Sequence, residues 1–316
     1  MKIKKEMLIL KVKLFTHTDL DGVGCAIIGK LAFDDIDIEY CNYDEIDNKV
    51  RDFTGRMKYK HYDKVFITDI SVNRDVADLI EYSITEKREY LNKYQLIDHH
   101  ATAKWLNEYE WANVTDYYNE EMKTCGTSLF YDFLHNEDLD TPHLIAFIEA
   151  IRRYDTWEWN TRYNDLHAKE LNDLLYIMGR EKFFNRFIQT PNVNFDVGER
   201  MLLEIERDKI EAYIESKKKQ MFEDELDGYK VGVVFNEQYH SQLGNELAVS
   251  NPHLDFIVMI NAGNGTVSYR GIHKHINIGE IVKKYGGGGH PQAAGSQTKD
   301  HIKQEVWQDF IINPLQ

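Results

Sequence analysis

The sequence predicts two α/β domains, the first built on a parallel sheet with an added helical layer, the second smaller, with one long charged helix connecting them. Three observations carry this. Up to about residue 110, short β-branched and aromatic runs alternate with segments of helical spacing, the pattern of a parallel sheet covered on both faces. From 124 to 188 the pattern turns helical throughout. Beyond 228, strand-like runs surround two short helical segments.

The elements follow in order. Runs 8–16, 36–40, 64–68 and 94–97 read as strands, and 23–33 and 74–87 as helices between them. Segments 127–134, 142–154 and 166–178 carry apolar residues three and four apart and are expected to complete the first domain as a helical layer. Residues 198–222 are dense in Glu, Arg and Lys and read as a connecting amphipathic helix, closed by an acidic turn at 223–228 with a glycine stop. Strands are expected at 229–235, 256–261 and 266–271, a helix at 243–249, and a last helix at 278–285 before four glycines. The expected domains are therefore 1–193, a connector at 194–227, and 228–316, within the usual size range.

Composition limits the function. The 316 residues carry a formal net charge of -15, with 53 Asp plus Glu against 38 Lys plus Arg. That argues against a surface for long duplex nucleic acid and leaves room for a short or small anionic substrate held by metal ions. Three scattered cysteines (Cys25, Cys41, Cys125) without a C-x-x-C fit a reducing compartment and exclude a cysteine-rich zinc site. No apolar stretch reaches 18 residues, and the segment after the charged opening is too broken for a signal sequence. A soluble cytoplasmic protein with no membrane partner is expected; a homodimer is compatible.

The chemistry concentrates at strand ends. Three apolar runs stop abruptly in T-H-T-D-L-D-G (16–22), I-T-D (67–69) and I-D-H-H (97–100). Ligands of parallel α/β sheets bind beyond the carboxyl ends of the strands, where His17, Asp19, Asp21, Asp69, Asp98, His99 and His100 all fall. Carboxylate oxygen with imidazole nitrogen suits Mn²⁺, Fe²⁺, Co²⁺ or Zn²⁺, and Mg²⁺ less well. Two ions about 3.5–4 Å apart need a bridging carboxylate and separate ligands for each. On an extended segment His17, Asp19 and Asp21 would face one side at period two.

Plainer readings exist for each motif. The first is also a common helix start with an Asp cap. It fails as a calcium loop, because Val23 and Lys30 occupy ligand positions. The near-Walker string G-C-A-I-I-G-K-L (24–31) puts Leu31 where a hydroxyl must hold the metal. Asp69 alone reads as a cap for the helix starting near Asn73. The conjunction of all three motifs favours a metal cleft.

H-x-D-x-D-G at 17–22, a strand ending in Asp69, D-H-H at 98–100, an Asp on a later helix (Asp155 in I-R-R-Y-D-T-W) and G-G-G-G-H-P-Q-A-A-G at 286–295 together resemble the DHH phosphoesterase superfamily with its DHH-associated C-terminal domain. The one-residue gap in H-T-D-L-D-G-V-G and the R-R-Y-D-T-W-E-W segment are most similar to its branch of NrnB-like oligoribonucleases and cyclic-nucleotide phosphodiesterases. The resemblance implies an active site between the two domains. It implies one metal held by His17, Asp19 and Asp69, and a second by Asp21, Asp69, His99 and Asp155, with Asp69 bridging. His100 would face the scissile phosphate, Asp98 would orient an imidazole, and a metal-bridging hydroxide would be the nucleophile. Two divalent ions are implied, Mn²⁺ first, with Mg²⁺, Co²⁺ or Fe²⁺ as alternatives.

In the second domain, Gly287, Gly288 and Gly289 within the glycine tract read as a backbone nest for an anion, with His290 adding a donor; the alternative is a flexible linker. Arg270 in V-S-Y-R-G matches the family arginine that grips a substrate phosphate, although Gly271 stands where the family usually has Ser. Tyr154, Trp157 and Trp159 are candidates for base stacking or for core packing. The expected function is metal-dependent hydrolysis of short single-stranded oligonucleotides to nucleoside 5′-monophosphates. Alternatives are a cyclic mono- or dinucleotide phosphodiesterase, a 3′-phosphoadenosine 5′-phosphate phosphatase and, in another class, a catalytically silent nucleotide sensor.

Overall fold

Strands β1 (Lys11–Thr16), β2 (Asp35–Tyr40), β3 (Lys64–Thr68), β4 (Tyr94–Asp98) and β5 (Ala112–Val114) form one wholly parallel sheet in the order β2-β1-β3-β4-β5. They were located in a computed structural model that describes residues 10–85, 90 and 92–297. The chain forms two compact units, Met1–Leu203 and Glu204–Gln316.

In the first unit the crossovers are α1 (Leu20–Ala32), α2 (Ile46–Gly55) and α3 (Arg74–Thr85). Strand order reverses at β1 and β3, since the chain goes from β1 out to β2 and returns to β3 on the other side. Such a switch point opens a crevice at the carboxyl edge of the sheet. One face packs residues such as Leu14, Phe66 and Ile97 against α1 and the later helices. The other packs Phe15, Val65 and Ile67 under α2 and α3. Burial on both faces explains why β1 and β3 read as nearly continuous apolar runs.

A small hairpin, β6 (Tyr117–Asn119) and β7 (Met122–Lys123), precedes the helical layer α4 (Gly126–Leu134), α5 (Pro142–Asp155), α6 (Leu166–Met178) and α7 (Arg180–Gln189). Helix α5 starts with Thr141 capping Leu144 N and Pro142 in the first turn. Its far end is held by charge. The Arg152 side chain belongs to a residue only 1 % exposed; its guanidinium donates twice to Glu149 (2.8 Å each), once to Glu158 (2.7 Å) and once to the Lys123 carbonyl (3.0 Å). Arg153 reaches Glu149 and Asp165 at 2.8 and 3.0 Å. The R-R-Y-D segment is thereby fixed, and Asp155 with it.

In the second unit the long helix α8 (Val197–Gln220), which begins in the first unit, leads to β8 (Phe222–Leu226), β9 (Tyr229–Phe235), α9 (His240–Ser250), β10 (Phe256–Asn261), β11 (Thr266–Arg270), α10 (Ile278–Val282), β12 (Gly288–His290) and β13 (Ala293–Gln297). The sheet order is β12-β13-β11-β10-β9-β8, with β9 and β10 parallel and the other pairs antiparallel. One apolar cluster packs Leu243 and Leu247 on Ile257 and Met259; another packs Val282 and Ile278 near Phe256 and Tyr269.

Several expectations are corrected. Residues 223–228 are not a helix-closing turn: β8 pairs with β9 through a two-residue turn in which Asp227 (φ 53°) and Gly228 (φ 83°) are both left-handed, the Asp-Gly hairpin geometry. Helix α1 starts at Leu20, before the expected residue 23, because Asp19 caps it. The glycine tract is not a flexible linker throughout, since Gly288–His290 is an edge strand on β13, with Gly286 and Gly287 in the turn before it. Helix α2 and the short β5 were not anticipated. Expected strand residues 8–9 and helix residues 86–87 lie outside the described residues.

Removing Arg152 leaves Glu158, itself 6 % exposed, as an uncompensated buried charge. Arg152→Ala is expected to destabilise the protein by about 3–5 kcal/mol in denaturant unfolding, whereas Arg153→Ala, at a half-exposed site, costs about 1 kcal/mol or less.

Candidate metal centre and active site

Strands β1, β3 and β4 end level with one another, because Thr16 pairs with Thr68 and Thr68 with Ile97. The Thr68 and Thr16 hydroxyls are joined at 3.0 Å, and Thr16 Oγ1 donates to the Gly22 carbonyl at 3.0 Å, tying the strand ends to the start of α1. His17, Asp69 and Asp98 therefore leave the sheet side by side.

His17 Nδ1 lies 2.9 Å from Asp19 Oδ2 and 3.9 Å from Asp69 Oδ2. Asp19 divides its work: Oδ1 caps α1 by accepting from Gly22 N at 3.1 Å, and Oδ2 turns to His17. The expected extended arrangement of 17, 19 and 21 is thus corrected, since Asp21 sits in the first helical turn. There it is 1 % exposed and accepts from Gly126 N (2.5 Å) and Thr127 N (2.7 Å) at the amino end of α4, where a helix favours negative charge. Gly126 is required by this approach, because a Cβ there would stand 2.5 Å from Asp69 Cβ.

His99 Nε2 stands 3.2 Å from Asp69 Oδ1, 3.5 Å from Asp155 Oδ2 and 3.6 Å from Asp21 Oδ2. Asp69 consequently offers one oxygen to His17 and Asp19 and the other to His99. Its backbone is left-handed (φ 57°), a conformation that costs a non-glycine residue about 1–3 kcal/mol. Asp98, fully buried, accepts from His99 N (2.8 Å), from His100 Nδ1 (2.7 Å) and through a short bond from Ser71 Oγ. With Nδ1 so engaged, His100 presents Nε2 outward.

The electrostatics are those of crowded, buried carboxylates and imidazoles. Burial, and then repulsion from Asp21 and Asp19, push the Asp69 carboxyl well above the ordinary range. The same causes raise Asp155. Burial lowers His99 against the pull of Asp21. The hydrogen bond that His100 donates to Asp98 raises the His100 pKa to about 9. Burial would raise Asp98 and Asp19, but His100 in one case and His17 in the other bring them below the usual value.

Among the described residues three groups have converging donor atoms: His17, Asp19 and Asp69; Asp21, His99 and Asp155; and Asp69, Asp98, His99 and His100. Five buried side-chain polar atoms among the described residues lack an aligned hydrogen bond, and two of them are here: Asp69 Oδ2, and His17 Nδ1, whose 2.9 Å approach to Asp19 Oδ2 is an ion-pair contact. Unpartnered acceptors converging in a carboxylate-rich hollow fit divalent metal ions with mixed O/N preference.

The second unit holds the remaining candidates. Arg270, at the end of β11, donates to the Tyr269 carbonyl (2.9 Å) and lies 3.4 Å from Ser241 Oγ, with no carboxylate partner among the described residues. Gly287 N is taken by the Val282 carbonyl (3.2 Å), Gly289 has φ 147° and would drive a Cβ to 2.5 Å from the Ala293 carbonyl, and Gly288 and His290 are exposed on the edge strand. Tyr154 and Trp159 are largely packed, whereas Trp157 is exposed.

Sequence reasoning missed Tyr43, Ser71 and the Gly126–Thr127 amides. Tyr43 follows β2 in C-N-Y-D, at the same carboxyl edge, and its phenol lies 3.4 Å from His100 Nε2. Burial, with Asp69 and Asp19 next, raises its pKa. The strand-end rule that selected His17 could have selected it.

The DHHA1 domain family matches residues 229–313. Oligoribonuclease NrnB of Bacillus subtilis (strain 168) is 40% identical over 314 residues, covering 96% of this chain and 77% of the relative. The chain belongs to the DHH phosphoesterase superfamily, in its NrnB branch. Two solved structures share the DHH fold with it. One is the pGpG-specific phosphodiesterase PggH of Vibrio cholerae (TM-score 0.56, 14% identity, 96% of this chain and 98% of that one). The other is RecJ of Thermus thermophilus in complex with Mn²⁺ (TM-score 0.53, 14% identity, 94% of this chain and 51% of that one).

Two outcomes are expected for this DHH site. Manganese at about 100 times its dissociation constant should stabilise the protein by about 2.7 kcal/mol, and EDTA should remove that gain in thermal unfolding. For the metal-free protein, the folded-state pKa of His100 is raised from 6.5 to about 9. Its contribution is therefore complete below 6.5 and lost as pH rises through about 9. Stability of the EDTA-treated protein should fall over that window, and His100→Asn should flatten the fall.

Proposed function

We propose that the chain is a divalent-metal phosphodiesterase that cleaves short single-stranded oligonucleotides to nucleoside 5′-monophosphates. The observation that carries the reading is Asp69, a buried carboxylate whose two oxygens face two different imidazole–carboxylate groups. His17, Asp19 and Asp69 would hold one ion, and Asp21, Asp69, His99 and Asp155 a second, with Mn²⁺ favoured by the donor mixture. Bound there, the ions supply activated water at neutral pH and offset phosphoryl charge.

The protein's own part is positioning. Asp98 fixes the His100 ring, so that Nε2 is the nitrogen left to donate to a non-bridging phosphoryl oxygen. The α4 amides orient Asp21, and the arginine-braced end of α5 holds Asp155. Arg270 and His290 are assigned to phosphate binding; an arginine without a carboxylate partner is free to take one. The oligoribonuclease activity named for the NrnB relative and the dinucleotide named for PggH support a short substrate, and so does a net charge of -15, which repels a long polyanion.

The test is an Mn²⁺-dependent time course on 5′-labelled di- to pentaribonucleotides, run beside cyclic dinucleotides and 3′-phosphoadenosine 5′-phosphate. Short oligomers should disappear with wild type, and Asp69→Asn should lower turnover by about 10³-fold or more, the several kcal/mol that a metal supplies. Turnover confined to a cyclic or bisphosphate substrate would replace the substrate and keep the site. Hydrolysis unchanged in Asp69→Asn would refute the reading.

A further inference from the structure

Tyr43 is held in place from both sides. Cys41 N donates to the Thr16 carbonyl at 2.8 Å, Asn42 Oδ1 accepts from Thr18 Oγ1 at 3.0 Å, and Asn42 N donates to Glu45 Oε2 at 3.0 Å. The loop after β2 is thus pinned to the loop after β1, and the side chain between these anchors belongs to a residue 61 % exposed. An exposed tyrosine so placed has no core to fill.

Its ring and hydroxyl meet different parts of the centre. The ring lies over His17, with centroids 4.7 Å apart, and meets His100 edge-on at 6.2 Å. Its Oη is 3.4 Å from His100 Nε2, and His100 in turn packs on His99 at 4.4 Å. Tyr43 therefore spans from the His17 group to the histidine beside the His99 group. An anion seated before both groups meets this phenol.

We propose that Tyr43 is a further substrate-contacting residue, whose hydroxyl donates a hydrogen bond to a non-bridging oxygen of the bound phosphoryl group, beside His100 Nε2. The proposal rests on the phosphodiesterase reading and adds a ligand contact to it. The competing role is a cover that only shields His17, and the two roles separate in measurement.

Tyr43→Phe keeps the ring and removes the hydroxyl. Three quantities are read on wild type and variant: Mn²⁺ affinity by calorimetry, affinity of the Mn²⁺-loaded protein for inorganic phosphate, and kcat and KM on the dinucleotide pApA. The expected result is unchanged Mn²⁺ affinity, phosphate binding weakened about 10-fold, and kcat lowered about 10-fold or more with no recovery at saturating Mn²⁺, the size of one hydrogen bond to a charged group. Wild-type phosphate affinity in the variant would overturn the proposal. So would weakened Mn²⁺ binding with activity restored by added metal, which would make Tyr43 a cover for His17. If wild type does not turn over pApA, the phosphodiester reading is what fails, and the phosphate titration still decides Tyr43.

Discussion

Four carboxylates, Asp19, Asp21, Asp69 and Asp155, converge at the carboxyl edge of the parallel sheet, and the first unit is arranged around the cost of that convergence. Asp21 and Asp69 are each 1 % exposed, so water does little to screen them, and repulsion at low dielectric is strong. Burial and mutual repulsion raise Asp69 and Asp155, as expected where buried carboxylates crowd together without a compensating charge. The polar groups nearby divide into those that stabilise single carboxylates, such as the α4 amides on Asp21, and those without a hydrogen bond, such as Asp69 Oδ2.

The sheet makes this geometry inexpensive to assemble. Parallel strands in register end at one level, and each contributes its next residue to the same crevice. Helix termini do the rest: α1 begins under Asp19, α4 points its amides at Asp21, and α5 ends on Asp155. The left-handed backbone at Asp69 is where the main chain is strained, and it turns the Asp69 carboxylate between His17 and His99. The Thr16–Thr68 contact and the small Gly126 are what allow that turn to sit against α4.

Much of this could be read from residues. The strand ends at Thr16 and Thr68, and the fourth to within one residue at Ile97, were legible because apolar β-branched runs stop abruptly in ligand-type residues, and the helical layer was legible from spacing. Asp19 was legible twice, as a cap and as a candidate ligand, and the structure shows the cap on Gly22 N with the other oxygen turned to His17. Asp21 was placed on an extended segment because spacing alone does not say where a cap begins a helix. Helix α2 was missed because its I-D-N-K-V-R-D-F pattern is short and mostly polar, and Tyr43 was missed with it, lying just before that helix. The glycine tract read as a nest or a linker because four glycines carry no periodicity; only pairing with β13 makes an edge strand of Gly288–His290. The hairpin at Asp227–Gly228 did carry its signal, which was outweighed by the acidic run before it.

The central claim is that Asp69 joins two cation positions. The most direct test is an electron paramagnetic resonance titration of the full chain with Mn²⁺, wild type against Asp69→Asn. Two Mn²⁺ bound per chain with an exchange-coupled spectrum, and loss of the coupling in Asp69→Asn, is the result predicted for a bridged pair. A single uncoupled Mn²⁺ per chain in wild type, or coupling that survives in Asp69→Asn, would contradict it.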